Sequence, residues 1–135
     1  ERLSAAGGAE GGSTMNQVVL VGNLTDDPAL RYTQSGKAVA NFTLAVSHRS
    51  RHNGQWQDVT DGFFTVTCWD TLADNVAASF KKGSRAIVAG KLIQRTFETE
   101  GGKRTVVEVQ AQHVGPDLQF ATATIDKASS EAKAS

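Results

Sequence analysis

A chain of 135 residues with 14 basic and 14 acidic side chains carries no formal net charge. We therefore expect one domain and exclude binding driven by an overall excess of positive charge, so any basic surface must come from segregation of charges. Its longest run of large apolar residues is VVLV at 18–21, which is far short of the roughly 20 residues that span a membrane. The chain has one cysteine, Cys68, which excludes an intrachain disulfide framework and a cysteine-based zinc site. A single cysteine also indicates a reducing compartment.

The N-terminal stretch ERLSAAGGAEGGST (1–14) lacks the apolar segment of a secretory signal and leads into a Met-Asn-Gln that reads like a natural start. We predict that residues 1–14 are a disordered expression leader. The folded domain is expected to span 15–117, followed by a C-terminal extension over 118–135.

The first predicted strand, NQVVLVGNL (16–24), is β-branched and nearly continuous in apolar residues. Such a run indicates burial on both faces. In a small antiparallel fold one face is the core, and a second subunit is the simplest cover for the other face. The stretch that follows, DDPALRYTQSG (26–36), is rich in turn residues.

The second and third predicted strands alternate, which is typical of strands with one buried face. In AVANFTLAVS (38–47) the core candidates are Val39, Phe42, Leu44 and Val46. In GFFTVTCW (62–69) the inward set is Phe64, Val66 and Cys68, and the outward set is Phe63, Thr65, Thr67 and Trp69.

One helix is predicted next. Thr71 and Asp74 have the spacing of a capping box, and Leu72, Val76 and Phe80 recur on one helical face. Lys81 and Lys82 are placed in the last turn, with Gly83 at the position just past the helix.

Two further strands complete the chain order, SRAIVAGKLIQRTFE (84–98) and RTVVEVQAQHV (104–114), joined by a hairpin turn at 99–103. Five strands with one helix between the third and fourth indicate an all-β, five-stranded OB-fold barrel. Gly22 and Gly90 are then interpreted as bulge or bend positions. A generic small β-sandwich is the alternative.

The outward set of the third strand places two large aromatic side chains, Phe63 and Trp69, on an exposed face. Aromatic faces bordered by cations are what unpaired bases and a phosphate backbone need. Arg95 and Phe97 share a strand face and lead into a turn from which Lys103 and Arg104 return. This pattern predicts binding of single-stranded nucleic acid.

The stretch HRSRHNGQW (48–56) supplies a second group of cations. We interpret residues 47–60 as a connection that forms a mobile cationic finger, with Arg49 and Arg51 as phosphate contacts and Trp56 as a stacking plate. The alternative is a solvated loop anchored by Trp56.

Other chemistry has little support in the sequence. The turn residues Asn53-Gly54 make a helical metal pair of His48 and His52 improbable, and Asp26-Asp27 before Pro28 fit a turn better than a catalytic pair. No phosphate loop or catalytic triad is present, so we predict no catalytic residue, metal or cofactor. Cys68 is interpreted as an inert buried thiol, with a disulfide between subunits as the alternative.

The segment MNQVVLVGNLTDDPALRYTQSGKAVANFTLAVS (15–47) resembles the opening of bacterial single-stranded DNA-binding proteins, and FKKGSRAIVAGKL (80–92) resembles the end of their helix and their fourth strand. The resemblance covers about residues 15–115. It implies an OB-fold homotetramer that wraps single-stranded DNA without sequence preference in replication, recombination or repair. It further implies a non-enzymatic, cytoplasmic, nucleoid-associated protein with no membrane partner.

The family's stacking aromatics map onto Phe63, Trp69 and Phe97, whereas its finger aromatic falls at Ser50, for which Trp56 is the candidate replacement. Gln17, Thr71 and Thr96 stand where many relatives carry a basic residue, so we expect weaker salt-sensitive binding. The predicted DNA-binding residues are Arg31, Arg49, Arg51, Trp56, Phe63, Trp69, Arg95, Phe97, Lys103 and Arg104.

The C-terminal extension departs from the family's pattern, because its four charges are two acids and two lysines and form no acidic tip. The resemblance then implies either truncation or a short paralogue, similar to the tail-less member of some actinomycetes, that coats DNA without recruiting replication proteins. LQFATATID (118–126) alternates and is predicted to add a C-terminal strand that clamps a neighbouring subunit; a frayed terminus is the alternative.

Two other functions remain open. A different OB module, such as a primosome-type dimer or an RNA-binding relative, fits the same fold. An OB-fold nuclease is disfavoured because no catalytic cluster is evident.

Overall fold

The computed structural model describes residues 15–128, so the predicted leader and residues 129–135 lie outside the described part of the chain. In chain order its elements are β1 (Val18–Leu24), β2 (Ala29–Tyr32), β3 (Ala38–His52), β4 (Gln55–Trp69), α1 (Asp70–Ser79), β5 (Arg85–Thr99) and β6 (Gly102–Pro116).

Five of these strands close into a barrel in the order β1-β5-β6-β4-β3, with β1 returning to β3. Every pairing in the ring is antiparallel except that of β4 with β6, which is parallel over Thr65–Thr67. The helix lies between the third and fourth barrel strands, which confirms the predicted OB-fold.

The extra strand beside this barrel is β2, and it corrects the prediction for 26–36. Residues Ala29–Tyr32 pair with β3 instead of forming a turn. The turn is confined to the residues around Gly36, whose φ of 88° suits glycine and whose N–H donates to the carbonyl of Thr33. Described residues 118–128 form no strand in the single chain, and the predicted clamp on a neighbouring subunit stays a prediction.

The barrel core is built from the inward side chains of its strands. Its largest fully buried members there are Leu44, Val66, Val88, Val109 and Cys68. Helix α1 closes one end of the barrel with Ala73 and Val76, and Leu72 and Phe80 pack against the same cluster, as predicted.

Two core predictions on β3 need qualification. Val46 is only partly buried. Val39 is buried, at 2% exposure, but lies outside the core cluster. It stands on the other side of β3, where its register partners are Arg31 and Trp69.

The predicted helix caps are wrong. No side chain caps the N-terminus, because β4 runs directly into the helix and the extended Trp69 occupies the cap position. At the other end the helix stops at Ser79, so the two lysines follow it. Gly83, with φ of 88°, lies in the next turn, where its N–H donates to the Leu24 carbonyl.

Gly22 and Gly90 stand where two barrel strands approach each other closely. A Cβ at Gly22 would lie 2.3 Å from the carbonyl oxygen of Ala45, and one at Gly90 would lie 2.1 Å from that of Gln110. Gly90 also stands at the β5–β6 register shift, which confirms its assignment to a bulge.

Candidate nucleic-acid interface

The outer face of the barrel is defined here by the side chains of β3, β4, β5 and β6 that point away from the core. On β4 the alternation predicts the two sides correctly: Val66 and Cys68 are fully buried in the core, and Phe63 is 66% exposed on the opposite side. Phe64, the third residue predicted to point inward, is only partly buried. Trp69 is partly buried on the outer face. Both predicted aromatics of this strand are therefore available on the outer face.

The β5–β6 hairpin continues the outer face beyond the barrel. Its inward side chains include Val88, so the odd-numbered residues Arg95 and Phe97 point outward. Phe97 is 46% exposed and lies opposite Arg104. Lys103 instead lies opposite Glu98 on the other side of the hairpin. The structure thus brings three of the four predicted hairpin residues to the outer face.

The structure corrects the prediction that residues 47–60, called the finger, form a connecting loop. Strands β3 and β4 run through it as a continuous antiparallel ladder and turn only at Asn53-Gly54. Both turn residues have positive φ, 53° and 77°, which is the geometry of the two-residue hairpin turn that Asn-Gly favours. The cations therefore lie on paired strands rather than on a loose connection.

A bulge decides which side of the finger Trp56 occupies. Val46 pairs with Gly62, but the next residue of β3 pairs with Thr60, so Asp61 is an extra residue in β4. Beyond it the even-numbered residues of β4 share a side with the odd-numbered residues of β3. Trp56 therefore joins the outer face, although simple alternation along β4 from Trp69 would place it with the inward set.

Trp56 and two arginines form a cluster on this side of the finger. The guanidinium carbons of Arg49 and Arg51 each lie 5.8 Å from the centroid of the Trp56 ring, within cation–π range. The ring remains 58% exposed. Ser50 pairs with Gln57 on the other side of the finger, so Ser50 and Trp56 project from opposite sides.

One ion pair and one histidine–carboxylate hydrogen bond accompany the finger. Arg49 Nε lies 3.7 Å from an oxygen of Asp58, and both side chains are mostly exposed, so this pair contributes little to stability. At the bulge, His48 Nδ1 lies 2.8 Å from Asp61 Oδ1. Within residues 15–128 no group of three or more histidine, cysteine or acidic side chains is arranged to hold a metal ion.

Arg31 reaches the outer face from the edge strand β2. It lies opposite Val39, and its Nη1 donates to Asn41 Oδ1 at 2.6 Å. Arg31 and Arg95 therefore stand on strands at opposite sides of the central strand β4.

A polar row between these two arginines was missed by the sequence analysis. Asn41 Nδ2 donates to Thr67 Oγ1 at 2.9 Å, and Thr67 Oγ1 donates to Glu108 Oε1 at 3.5 Å. Arg95 Nε donates to the same Glu108 oxygen at 3.2 Å. Only the register of non-adjacent chain segments brings these residues together, and no local motif signals it.

Cys68 is buried in the core with no solvent exposure. Burial raises the pKa of its thiol to about 12, because the thiolate is poorly solvated there. The structure favours the inert thiol over the disulfide between subunits, since no partner thiol reaches a side chain enclosed by its own barrel.

A second apolar surface lies on β1 and β5. Val19 is 60% exposed and Ile87 is 38% exposed, and both project from the barrel on the side away from Val88. Within the described chain nothing covers Val19, so the predicted burial of this strand on both faces is not provided by the chain itself. In residues 15–128 no helix is both long and apolar enough for a transmembrane span.

The family model for the single-strand binding protein family matches residues 15–117. A single-stranded DNA-binding protein from Mycolicibacterium smegmatis is 53% identical over 115 residues, covering 83% of this chain and 70% of the relative. One from Corynebacterium glutamicum is 50% identical over 113 residues, covering 82% of this chain and 50% of the relative.

Among solved structures, the small single-stranded DNA-binding protein from Streptomyces coelicolor superimposes with a TM-score of 0.66 at 34% sequence identity. The match covers 76% of this chain and 94% of that protein.

Proposed function

Because the chain belongs to the single-strand binding protein family, we propose that it binds and wraps single-stranded DNA without sequence preference and performs no catalysis. The observation that carries this proposal is the outer face, on which Phe63, Trp69 and Phe97 share one side of the sheet with arginines at its borders. Protection of exposed single strands in replication, recombination or repair is the role that this binding serves.

Stacking supplies the sequence-independent part of the affinity. Every base has a π-face, and stacking on an aromatic side chain contributes about 1–3 kcal/mol per base. Phe63 is 66% exposed and Phe97 46% exposed, so their rings are available without rearrangement of the barrel. Trp56 adds a third exposed ring at the end of the finger.

Phosphate contacts come from arginines placed around these rings. The formal net charge is zero, so attraction depends on local placement. Arg49 and Arg51 lie on the finger, Arg95 and Arg104 on the β5–β6 hairpin, and Arg31 at the β2 edge. Lys103 completes the set if the strand passes around the hairpin to its other side.

A homotetramer is the proposed assembly. Val19 and Ile87 form an exposed apolar area on β1 and β5 that a second copy would cover. Leu118, Phe120 and Ile125 of the C-terminal extension are 58%, 81% and 89% exposed in the single chain, which supports a clamp on a neighbouring subunit. The cytoplasm and nucleoid are the compartments that such a protein would occupy.

Titration with oligo(dT) at two salt concentrations tests the function, with tryptophan fluorescence as the signal. We expect saturable quenching that weakens as salt rises, because each neutralised phosphate contributes about −0.7 to the log–log salt slope for single strands. A Trp56→Phe variant isolates the signal of Trp69. Absence of saturable quenching would refute the proposal.

Two parallel measurements separate the alternatives. Oligo(rU) in place of oligo(dT) tests an RNA-binding relative, which would prefer the RNA. Light scattering distinguishes a tetramer from a primosome-type dimer. The substitutions at Gln17, Thr71 and Thr96 lead us to expect a shallower salt slope than that of a relative with basic residues at those positions.

A further inference from the structure

An acidic side chain stands on the face that is proposed to bind DNA. Glu108 lies on β6 opposite Ile93 of β5 and beside Thr65 of β4, and its side chain is 20% exposed. A carboxylate near a phosphate backbone repels it, so charge alone predicts that Glu108 weakens binding. Its contacts point to the opposite effect.

We propose that Glu108 strengthens DNA binding by positioning Arg95 for a phosphate contact, an inference that rests on the proposed function. Arg95 Nε donates to Glu108 Oε1 at 3.2 Å, and the arginine side chain remains 47% exposed. Because this bond uses Nε, the two terminal nitrogens of the guanidinium remain free to donate outward. Glu108 is a positioning residue and makes no DNA contact of its own.

The carboxylate is itself held in place from the other side. Thr67 Oγ1 donates to the same oxygen at 3.5 Å, and Thr67 is only 4% exposed. Asn41 donates to Thr67 at 2.9 Å and accepts from Arg31 at 2.6 Å. Every donor in this row points toward Glu108, so the negative charge of Glu108 orients all of its hydrogen bonds.

The row joins Arg31 and Arg95 across five strands, in the order β2, β3, β4, β6 and β5. A fixed guanidinium loses less conformational freedom on binding than a mobile one, and immobilising a long side chain lowers affinity about two- to tenfold. Holding Arg95 before DNA arrives removes part of that cost. Because Arg95 Nε lies 3.2 Å from the Glu108 carboxylate, the arginine offsets the repulsion that this charge exerts on a phosphate backbone.

The test compares Glu108→Ala with Glu98→Ala by oligo(dT) titration. Glu98→Ala is a matched control, because the substitution removes the same charge from the same hairpin. Glu98 lies on the other side of that hairpin, opposite Lys103. We expect Glu108→Ala to weaken binding about two- to tenfold, the range that the immobilisation cost implies. Glu98→Ala should leave affinity unchanged or slightly higher. A gain in affinity from Glu108→Ala would overturn the proposal.

The same substitution in an Arg95→Met background separates positioning from a structural role. Without Arg95, Glu108 is an unneutralised acid on the DNA face, so Glu108→Ala should now raise affinity. This reversal of sign is the expected result. Equal weakening in both backgrounds, with a parallel fall in melting temperature, would show a structural role and contradict the proposal.

Failure of this inference is distinguishable from failure of the proposed function. If the unmodified protein does not bind oligo(dT), the function is wrong. If it binds and Glu108→Ala does not reverse its effect between the two backgrounds, only the positioning role is wrong. Circular dichroism melts of each variant show whether the barrel is intact in these comparisons.

Discussion

Arg51 lies directly opposite Trp56 in the finger, and its guanidinium carbon is 5.8 Å from the centroid of the indole ring. Arg49 lies at the same distance from the same ring. A cation beside an exposed aromatic ring combines the two contacts that a single strand offers, a base to stack and a phosphate to neutralise. The finger therefore carries both kinds of contact on one side.

Arg51→Ala is expected to make the log–log salt slope of oligo(dT) binding shallower by about 0.7, because one phosphate contact is lost. Trp56→Ala should weaken binding by about 1–3 kcal/mol while the slope stays nearly constant, since stacking releases no counterions. Lys81→Ala serves as the control, because Lys81 follows α1, away from the finger. Equal changes of slope in all three variants would contradict the assignment.

Phe97→Ala and Trp69→Ala are each expected to weaken oligo(dT) binding by about 1–3 kcal/mol through lost stacking. Val107→Ala is the control for Phe97. Val107 is 54% exposed on the opposite side of the same hairpin, so its loss should not change affinity. The measurement is fluorescence anisotropy of a labelled oligonucleotide, with thermal melts as a check on folding. Unchanged affinity in both aromatic variants would contradict the proposal that bases stack on Phe97 and Trp69.

Gly90→Ala is expected to destabilise the barrel by about 1–3 kcal/mol or more, because the added Cβ meets backbone atoms that cannot move aside. A Cβ there would lie 2.1 Å from the Gln110 carbonyl oxygen, and Gly22→Ala meets the same obstacle on β1. Gly101→Ala is the control, since nothing lies within 4 Å of its Cβ position. Urea unfolding measures the free energy of unfolding of each variant. If Gly90→Ala is as stable as Gly101→Ala, the close approach of β5 and β6 at Gly90 is contradicted.

The buried thiol predicts how stability depends on pH. The pKa of Cys68 is raised from 9.0 to about 12 in the folded protein. Between these values the folded state keeps a proton that the unfolded state has lost, so stability falls as pH rises. The fall contributed by this group is at most about 1.4 kcal/mol per pH unit.

Cys68→Ala should remove this contribution, so the difference in unfolding free energy between variant and parent should change across pH 9 to 12. Titration of the native protein with a thiol reagent at pH 8 should label Cys68 only after unfolding. Rapid labelling of the folded protein, or a dimer on a non-reducing gel, would contradict the enclosed position of the thiol.

The alternation in 62–69 and 38–47 was sufficient to predict that Val66 and Cys68 enter the core and that Phe63 and Trp69 face outward, and it placed Phe42 and Leu44 correctly. It was wrong for Val39, which lies on the other side of β3, opposite Trp69. The correct predictions were possible because side-chain direction in a regular strand has a period of two, a local property of the backbone. The order of strands and helix along the chain was likewise sufficient to predict the OB-fold. The motifs in residues 15–47 were sufficient to predict the family. The helix caps were not predictable, because β4 passes into α1 without the capping residue that the pattern requires.

Tertiary structure determined the features of the site that depend on the register between paired strands. The side occupied by Trp56 follows from one extra residue at Asp61, and whether a strand carries a bulge is set by its partner strand. The burial of Thr67 and the contact of Glu108 with Arg95 arise from strands that are distant in sequence and adjacent only in the closed barrel. Local pattern fixes the direction of a side chain, whereas its neighbours across the sheet are fixed by long-range pairing.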